Sequence, residues 1–227
     1  QSHKKKHYRS VTLSLKSNHQ APGDATSEQM QYVADLADEY SFGEIRVSHE
    51  QNLILADVHE DNLYELWNKA KNLHLATPNI GLITDIICCP GGDFCSLANA
   101  KSIPIADSIQ QVFDDMDYLH DIGDIDLNIS GCMNACGHHH VGHIGILGVD
   151  KDGSEWYQVT LGGNQGNFAN IGKVIGPSFS ADEMPAVIRK IVDTYVEERH
   201  SDETFIDCVI RVGLDPFKLM VYGKKAN

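Results

Sequence analysis

The sequence contains little positive charge for its length. Its 227 residues include 18 lysines and arginines against 32 aspartates and glutamates, which gives a formal net charge of -14. A protein that binds nucleic acid or an anionic membrane needs a basic face to neutralise phosphates, and this composition does not supply one. We therefore expect neither nucleic acid nor a membrane among the partners of this chain.

Long hydrophobic runs, internal repeats and low-complexity segments are also missing. No stretch approaches the roughly 18 consecutive apolar residues that a transmembrane helix requires. The basic residues Lys4–Lys6 lead into an alternating segment and not into an apolar one, so we expect no signal peptide. The expected location is cytoplasmic, where six cysteines more often indicate metal sites or buried thiols than disulfides.

Four of the cysteines form two pairs, each set among glycines and small residues. Cys89 and Cys95 occur in CCPGGDFC, and Cys132 and Cys136 occur in SGCMNACGHHH. Four thiolates from two loops can surround one metal centre, and one wide pair with one narrow pair suits a 4Fe-4S cluster better than a zinc ion. From spacing alone, a zinc site and a group of buried or redox-active thiols remain the alternatives.

Cys208 and a run of histidines are interpreted as non-ligands, whereas Cys88 is ambiguous. Cys88 should point away from Cys89 in an extended segment, so only one of the two is expected to bind a metal. Cys208 falls among apolar residues at helical spacing, which predicts a buried thiol. The histidines could bind a metal, but we favour the interpretation that they are loop and strand residues that face solvent or a polar pocket. In a polar pocket they could donate protons. The run comprises His138, His139, His140 and His143.

Hydrophobic patterning predicts an α+β fold in two domains. Residues 8–16 alternate as a strand, and Thr26 and Gln29 have the spacing of a capping box before an amphipathic helix. Two short strands and a second helix over residues 59–73 follow. This order of elements resembles a ferredoxin-like half domain, and we place its end at residue 78.

The second domain is expected over residues 79–227. An apolar run leads into the first cysteine loop, so this loop should follow a strand. The apolar stripe that begins at Ile105 predicts one helix that ends at Gly123, and the next strand delivers the second cysteine loop. Two paired strands, a glycine-rich loop and two helices complete the domain, and the last helix is expected to end at Gly213 and Pro216.

At the cysteines, the sequence resembles the C-terminal half of the sirohaem-containing nitrite and sulfite reductases. The matching motifs are Cys89-x5-Cys95, the pair Cys132-x3-Cys136 with Asn134 inside it and Gly137 after it, and Leu161-Gly162-Gly163-Asn164. The similarity continues into PGDATSEQM and FGEIRVSHEQNLILADV and covers nearly the whole chain, although Met133 stands where a proline is frequent in the family. The resemblance implies a ferredoxin-like half domain followed by the α+β domain that binds 4Fe-4S and sirohaem.

The resemblance also implies the cofactors and their ligands. A 4Fe-4S cluster would be held by Cys89, Cys95, Cys132 and Cys136, and Cys136 would also bind the sirohaem iron as its axial ligand. The remaining residues expected at the cofactors are Asn134, Gly137, Gly162, Gly163 and Asn164.

The implied activity is a six-electron reduction at sirohaem, of sulfite to sulfide or of nitrite to ammonia. The electrons would come from a ferredoxin or a flavoprotein. Two alternatives from other classes are an electron carrier with a cluster and no sirohaem, and a zinc-stabilised interaction module.

A site for these cofactors needs cations that the sequence hardly provides. Sirohaem carries carboxylates and the substrates are anions, yet no arginine lies between Arg46 and Arg189. Lys101 and Lys151 are the only lysines between the first cysteine loop and the glycine-rich loop. In the family, the basic residues come largely from an amino-terminal half. We therefore expect a fragment or one part of a split enzyme, inactive without its missing amino-terminal half.

Overall fold

The structure is a computed structural model that describes residues 1–18 and 20–223. Two separate hydrophobic cores divide the chain into a first unit, Gln1–Ile80, and a second unit that begins at Gly81. Each unit combines helices with one sheet, so the α+β class predicted from the hydrophobic pattern is confirmed.

The first unit packs helices against an antiparallel sheet. Its elements are β1 (Tyr8–Leu13), α1 (Ser27–Tyr40), β2 (Ile45–Val47), β3 (Leu53–His59) and α2 (Leu63–Lys71). The strand order is β1-β3-β2. Thr26 and Gln29 form the predicted capping box, which satisfies two amides at the start of α1. The apolar faces of α1 and β3 meet in a core that includes Val33, Leu36 and Leu55.

The second unit is built around a mixed sheet. Its strands are β4 (Ile87–Cys88), β5 (Leu127–Ser130), β6 (Ile144–Lys151), β7 (Ser154–Leu161) and β8 (Lys173–Val174). Its helices are α3 (Ile103–Val112), α4 (Met116–Ile122), α5 (Met184–Glu198), α6 (Phe205–Val212) and α7 (Asp215–Tyr222). The strand order is β4-β5-β6-β7-β8, in which β4, β5 and β6 are parallel neighbours and the later pairs are antiparallel. Because β4 and β5 are parallel, the segments that follow them leave the sheet at the same end.

Two elements of the second unit differ from the prediction. The single helix expected to end at Gly123 is two helices, because Phe113 ends α3 and the Asp115 side chain accepts two amide hydrogen bonds at the start of α4. The helix expected to end at Gly213 and Pro216 is α6, which does end at Gly213. Pro216 instead lies in the first turn of a further helix, α7, where a missing N–H breaks no helical hydrogen bond. The first cysteine loop follows a strand, as predicted, although most of the apolar run from Gly81 forms turns and only its end forms β4.

The helices are short and have one buried face. The two longest described helices are α5 with 15 residues and α1 with 14. Within residues 1–18 and 20–223, no helix combines the length and the apolar character that crossing a membrane requires.

Candidate metal centre

The first cysteine loop leaves the sheet directly after β4. Cys88 is the last residue of β4 and lies in the hydrophobic core. The sulfur of Cys89 instead accepts a hydrogen bond from the Gly131 amide at 3.1 Å and lies 3.4 Å from the Ser102 Oγ. The two neighbouring thiols therefore have different surroundings, as alternation along an extended segment predicts.

The second cysteine loop follows β5 and turns sharply. Ala135 and His138 adopt left-handed backbone conformations, with φ of 57° and 54°. The Gly137 amide donates to the Ser130 Oγ at 3.1 Å. A Cβ at Gly137 would lie only 2.0 Å from the carbonyl oxygen of Ile129, so this close approach of two backbone segments requires glycine.

Gly131 joins the two loops. Its amide donates to the Cys89 sulfur, and its carbonyl accepts from the amides of Asn99 and Ala100 at 2.8 and 3.1 Å. A Cβ here would lie 2.6 Å from the Ala100 oxygen and 2.9 Å from the Gly91 Cα. The contact therefore depends on glycine, and it places both cysteine loops in one hydrogen-bonded framework.

The four thiols on these loops differ in exposure. Cys89 and Cys132 are buried, with 8% relative exposure each, whereas Cys95 is half-buried and Cys136 is exposed. In the described part of the chain, no three His, Cys, Asp or Glu side chains form a group that could hold a single metal ion. Thiol donors on two joined loops, with an N–H donor already directed at one sulfur, fit the thiolate ligation of an iron–sulfur cluster.

The glycine-rich loop packs against the residues that follow the second cysteine loop. The Gly162 amide donates to the carbonyl of His143 at 3.0 Å. A Cβ on Gly163 would lie 2.3 Å from the Gly142 carbonyl oxygen. The structure thus brings the two glycines singled out in the sequence next to the chain that leaves the second pair.

Two asparagines from the predicted site have different positions. The Oδ1 of Asn164 accepts from the Gln165 amide at 2.9 Å, and its backbone pairs with Asn170, so these contacts shape its own loop. Asn134 is exposed on the second cysteine loop between its two thiols. The role of either side chain toward a cofactor stays a prediction.

The four histidines after the second pair divide between surface and interior. His138 and His140 are exposed, whereas His139 and His143 are buried. Burial, together with the neighbouring His140, lowers the pKa of His139 to about 4. His139 is therefore neutral near neutral pH, which makes it a poor proton donor there and suits it to hydrogen bonding.

Asn128 of β5 supports the second loop from the sheet. It is fully buried, and its Nδ2 donates to the carbonyl of His138 at 3.1 Å. Among the described residues, its Oδ1 and the Nδ1 of His139 are buried without a hydrogen-bond partner. The polypeptide thus leaves polar atoms unpaired beside the second loop, as it would next to a bound water or a polar ligand group.

The lysines expected near the cysteines are already engaged with other side chains. Lys101 pairs with Asp93 at 3.3 Å, and the Lys151 amine lies 4.7 Å from the centre of the Trp156 ring. Neither lysine is free of a local partner. This arrangement agrees with the scarcity of cations that the sequence indicates.

Cys208 is buried in the core of the second unit, as predicted. It lies on α6 with Phe205 and Val209 and has no exposed surface. Burial raises the pKa of its thiol, which keeps it protonated.

Gly131 lies in the motif SGCMNACGHHH, but sequence reasoning did not predict its contact with Cys89. Ser102 was not found, because it acts through a contact with a residue distant in sequence and belongs to no motif. The signal available for Ser102 was its position directly before a helix.

Two domain families match the chain. The nitrite/sulfite reductase ferredoxin-like half domain matches residues 1–73, and the nitrite and sulphite reductase 4Fe-4S domain matches residues 82–227. The two matches define the class of protein as a 4Fe-4S domain with a ferredoxin-like half domain before it. The chain belongs to the nitrite and sulfite reductase family, whose enzymes carry a 4Fe-4S cluster and sirohaem, and the predicted family is confirmed.

Relatives of two lengths match the chain. The assimilatory ferredoxin-dependent nitrite reductase of Haloferax mediterranei is 30% identical over 201 residues, which cover 86% of this chain and 34% of the relative. The assimilatory-type sulfite reductase of Nitratidesulfovibrio vulgaris is 22% identical over 88% of each chain. The structure of the Mycobacterium tuberculosis NirA protein matches with a TM-score of 0.74 and 26% identity, over 92% of this chain and 39% of that one. The chain spans about a third of the length of the nitrite reductase.

Proposed function

We propose that this chain is the cluster-bearing C-terminal half of an assimilatory-type sulfite reductase. In this proposal, a 4Fe-4S cluster is held by Cys89, Cys95, Cys132 and Cys136. The observation that supports it best is the set of hydrogen bonds at Gly131, because they make the two cysteine loops one structural unit. The match of the 4Fe-4S domain family to residues 82–227 supports the same assignment.

The four thiols have different tasks in this proposal. Cys89 and Cys132 are enclosed by protein and would hold the cluster, whereas Cys136 is exposed and would be accessible to a second cofactor. By the resemblance, Cys136 would hold the sirohaem iron as well as the cluster. When bound, the cluster supplies stored electrons and sirohaem supplies the iron that binds the substrate. The chain itself orients the thiols and keeps water from the inner ones.

Residues around the second cysteine loop complete the proposed cofactor site. The packing of the glycine-rich loop against residues 140–143 supports a role for both segments on the same side of the domain. The unpaired Asn128 Oδ1 and His139 Nδ1 provide polar atoms there. The positions assigned to this site are Asn134, Gly137, Gly162, Gly163 and Asn164.

The site further requires cations from outside this chain. Sirohaem carboxylates and sulfite are anionic, and Lys101 and Lys151 are engaged elsewhere. We propose that a polypeptide equivalent to the amino-terminal part of the longer relatives supplies these cations and completes the enzyme. A ferredoxin or a flavoprotein would deliver the electrons, and a ferredoxin is named for the Haloferax relative.

Sulfite is the proposed substrate, and nitrite is the second candidate. The relative that matches this chain over 88% of both lengths is named a sulfite reductase, which supports sulfite. The Haloferax relative with 30% identity is named a nitrite reductase, which keeps nitrite open. The products separate the two, because sulfite yields sulfide and nitrite yields ammonia.

The test is the visible spectrum of the chain purified without oxygen, alone and together with its completing polypeptide. We expect cluster absorption in the chain alone, and sirohaem bands and sulfide production from the combination with a chemical reductant. A colourless chain that a chelator unfolds would contradict the cluster assignment in favour of zinc. Sulfite reduction by the chain alone, with both cofactors bound, would overturn the need for a second polypeptide and leave the cluster assignment intact.

A further inference from the structure

Ser102 is a buried serine directly before α3 whose hydroxyl does not cap the helix. A serine in this position usually accepts a hydrogen bond from an amide of the first helical turn. The Ser102 side chain makes no such bond, although its relative exposure is 0%. A buried hydroxyl that is not used in the cap needs another partner.

The neighbour of this hydroxyl is the sulfur of Cys89. The Ser102 Oγ lies 3.4 Å from the Cys89 Sγ, to which the Gly131 amide donates at 3.1 Å. A thiolate has no proton to give, so against a metal-bound Cys89 the hydroxyl is the donor. The sulfur then receives one hydrogen bond from the start of α3 and another from the second cysteine loop.

Two glycines leave the space that the hydroxyl occupies. A Cβ on Gly91 would lie 2.6 Å from the Ser102 Oγ, and a Cβ on Gly131 would lie 3.0 Å from it. Gly91 belongs to the first cysteine loop, and Gly131 directly precedes the second pair. The hydroxyl therefore lies where the two loops meet, and close packing limits its movement.

We propose that Ser102 raises the reduction potential of the cluster by donating a hydrogen bond to the Cys89 thiolate. This inference rests on the proposed function, because it requires a cluster at Cys89. Reduction adds one electron to the cluster and increases the negative charge on its thiolates. A hydrogen-bond donor stabilises that charge and so favours the reduced state. Ser102 acts through Cys89 and is not itself a ligand.

The test is a redox titration of the cluster in the intact chain, followed by electron paramagnetic resonance. Ser102→Ala removes the hydroxyl, and we expect the midpoint potential to become more negative while the iron content stays that of the wild type. The matched control is Ser108→Ala, because Ser108 lies on the same helix and its hydroxyl donates to the Ile105 carbonyl at 2.8 Å. This control should keep the wild-type potential.

The possible results separate this inference from the proposed function. A fully loaded Ser102→Ala cluster with the wild-type potential overturns the role of Ser102 alone. Ser102→Gly removes the same hydroxyl at a backbone φ of -105°, which suits any residue, and it must shift the potential in the same direction. A wild-type chain that binds no cluster after anaerobic reconstitution with iron and sulfide overturns the proposed function itself.

Discussion

The two cysteine loops leave adjacent parallel strands, but the protein encloses them differently. In the first loop, the Cys89 sulfur is buried and has two polar neighbours from other segments. In the second loop, Cys132 is buried while Cys136, after a left-handed turn at Ala135, is exposed. The comparison indicates that the first loop fixes a thiol inside the protein, whereas the second presents one outward.

The largest expected effect comes from removing a thiol from either loop. Cys89→Ser and Cys136→Ser should each abolish most of the cluster absorption and the bound iron, because the proposed cluster needs all four thiolates. Absorption spectra and iron analysis of the purified variants give the measurement. Cys208→Ser is the control, since it removes a thiol of the same unit that lies in the core and is not a proposed ligand. A fully loaded Cys89→Ser protein would contradict the assignment of the first loop.

The next effect concerns the close backbone approach in the second loop. Gly137→Ala should lower the free energy of unfolding by about 3 kcal/mol, because its Cβ cannot be placed without moving Ile129 or the loop. Gly92→Ala in the first loop is the matched control, since the nearest atoms lie 3.4 Å from the added Cβ, an ordinary contact. Denaturant unfolding compares the two variants. Equal losses of stability would show that the backbone at Gly137 is not packed more closely than the backbone at Gly92.

A smaller effect is expected from the buried histidine beside the second loop. The pKa of His139 is lowered from 6.5 to about 4 in the folded chain, so between these pH values the unfolded chain binds more protons. The free energy of unfolding should therefore fall as the pH decreases from 6.5 to 4, and His139→Gln should reduce this fall. Unfolding curves across this pH range measure the change in the free energy of unfolding. His120→Gln on the exposed face of α4 should leave the fall unchanged, and a wild-type pH response in His139→Gln would refute the explanation.

The smallest effect is expected at Ser130, which holds the turn of the second loop. Ser130→Ala removes the acceptor for the Gly137 amide and should cost about 1 kcal/mol of stability. Thermal or denaturant unfolding provides the measurement, with the helical variant Ser108→Ala as the control. If both variants lose the same amount, the Ser130 hydroxyl has no special role in the loop.

The candidate ligands could be predicted from the sequence because their signal is local. Cys89 and Cys95 lie close together in the sequence among glycines, and so do Cys132 and Cys136. Both pairs can be recognised without knowing the fold. The positions of Ser102 and Gly131 around the Cys89 sulfur depend on parallel strand pairing and on the loop before α3. Such contacts between distant segments leave no regular pattern in the sequence.

The helix boundaries show a different limit. Asp115 before an apolar stripe is a signal for a helix start, and a proline is common in the first turn of a helix. The prediction nevertheless continued one helix through Asp115 and used Pro216 as an end. At Asp115, apolar periodicity was given more weight than capping, and the Asp115 side chain caps the start of a separate helix. At Pro216, the proline was interpreted as a helix end, whereas it lies in the first turn of α7.

The unequal exposure of the four thiols also determines the order in which they react with reagents in solution. Without a cluster, Cys136 can react with an alkylating agent directly. Cys89 and Cys132 can react only after the surrounding loops open. Because Gly131 links these loops, the two buried thiols should react at one common slow rate. Oxygen-derived oxidants would meet Cys136 first and convert it to sulfenic acid. The thiol proposed to join the two cofactors is thus the one most in need of protection during assembly.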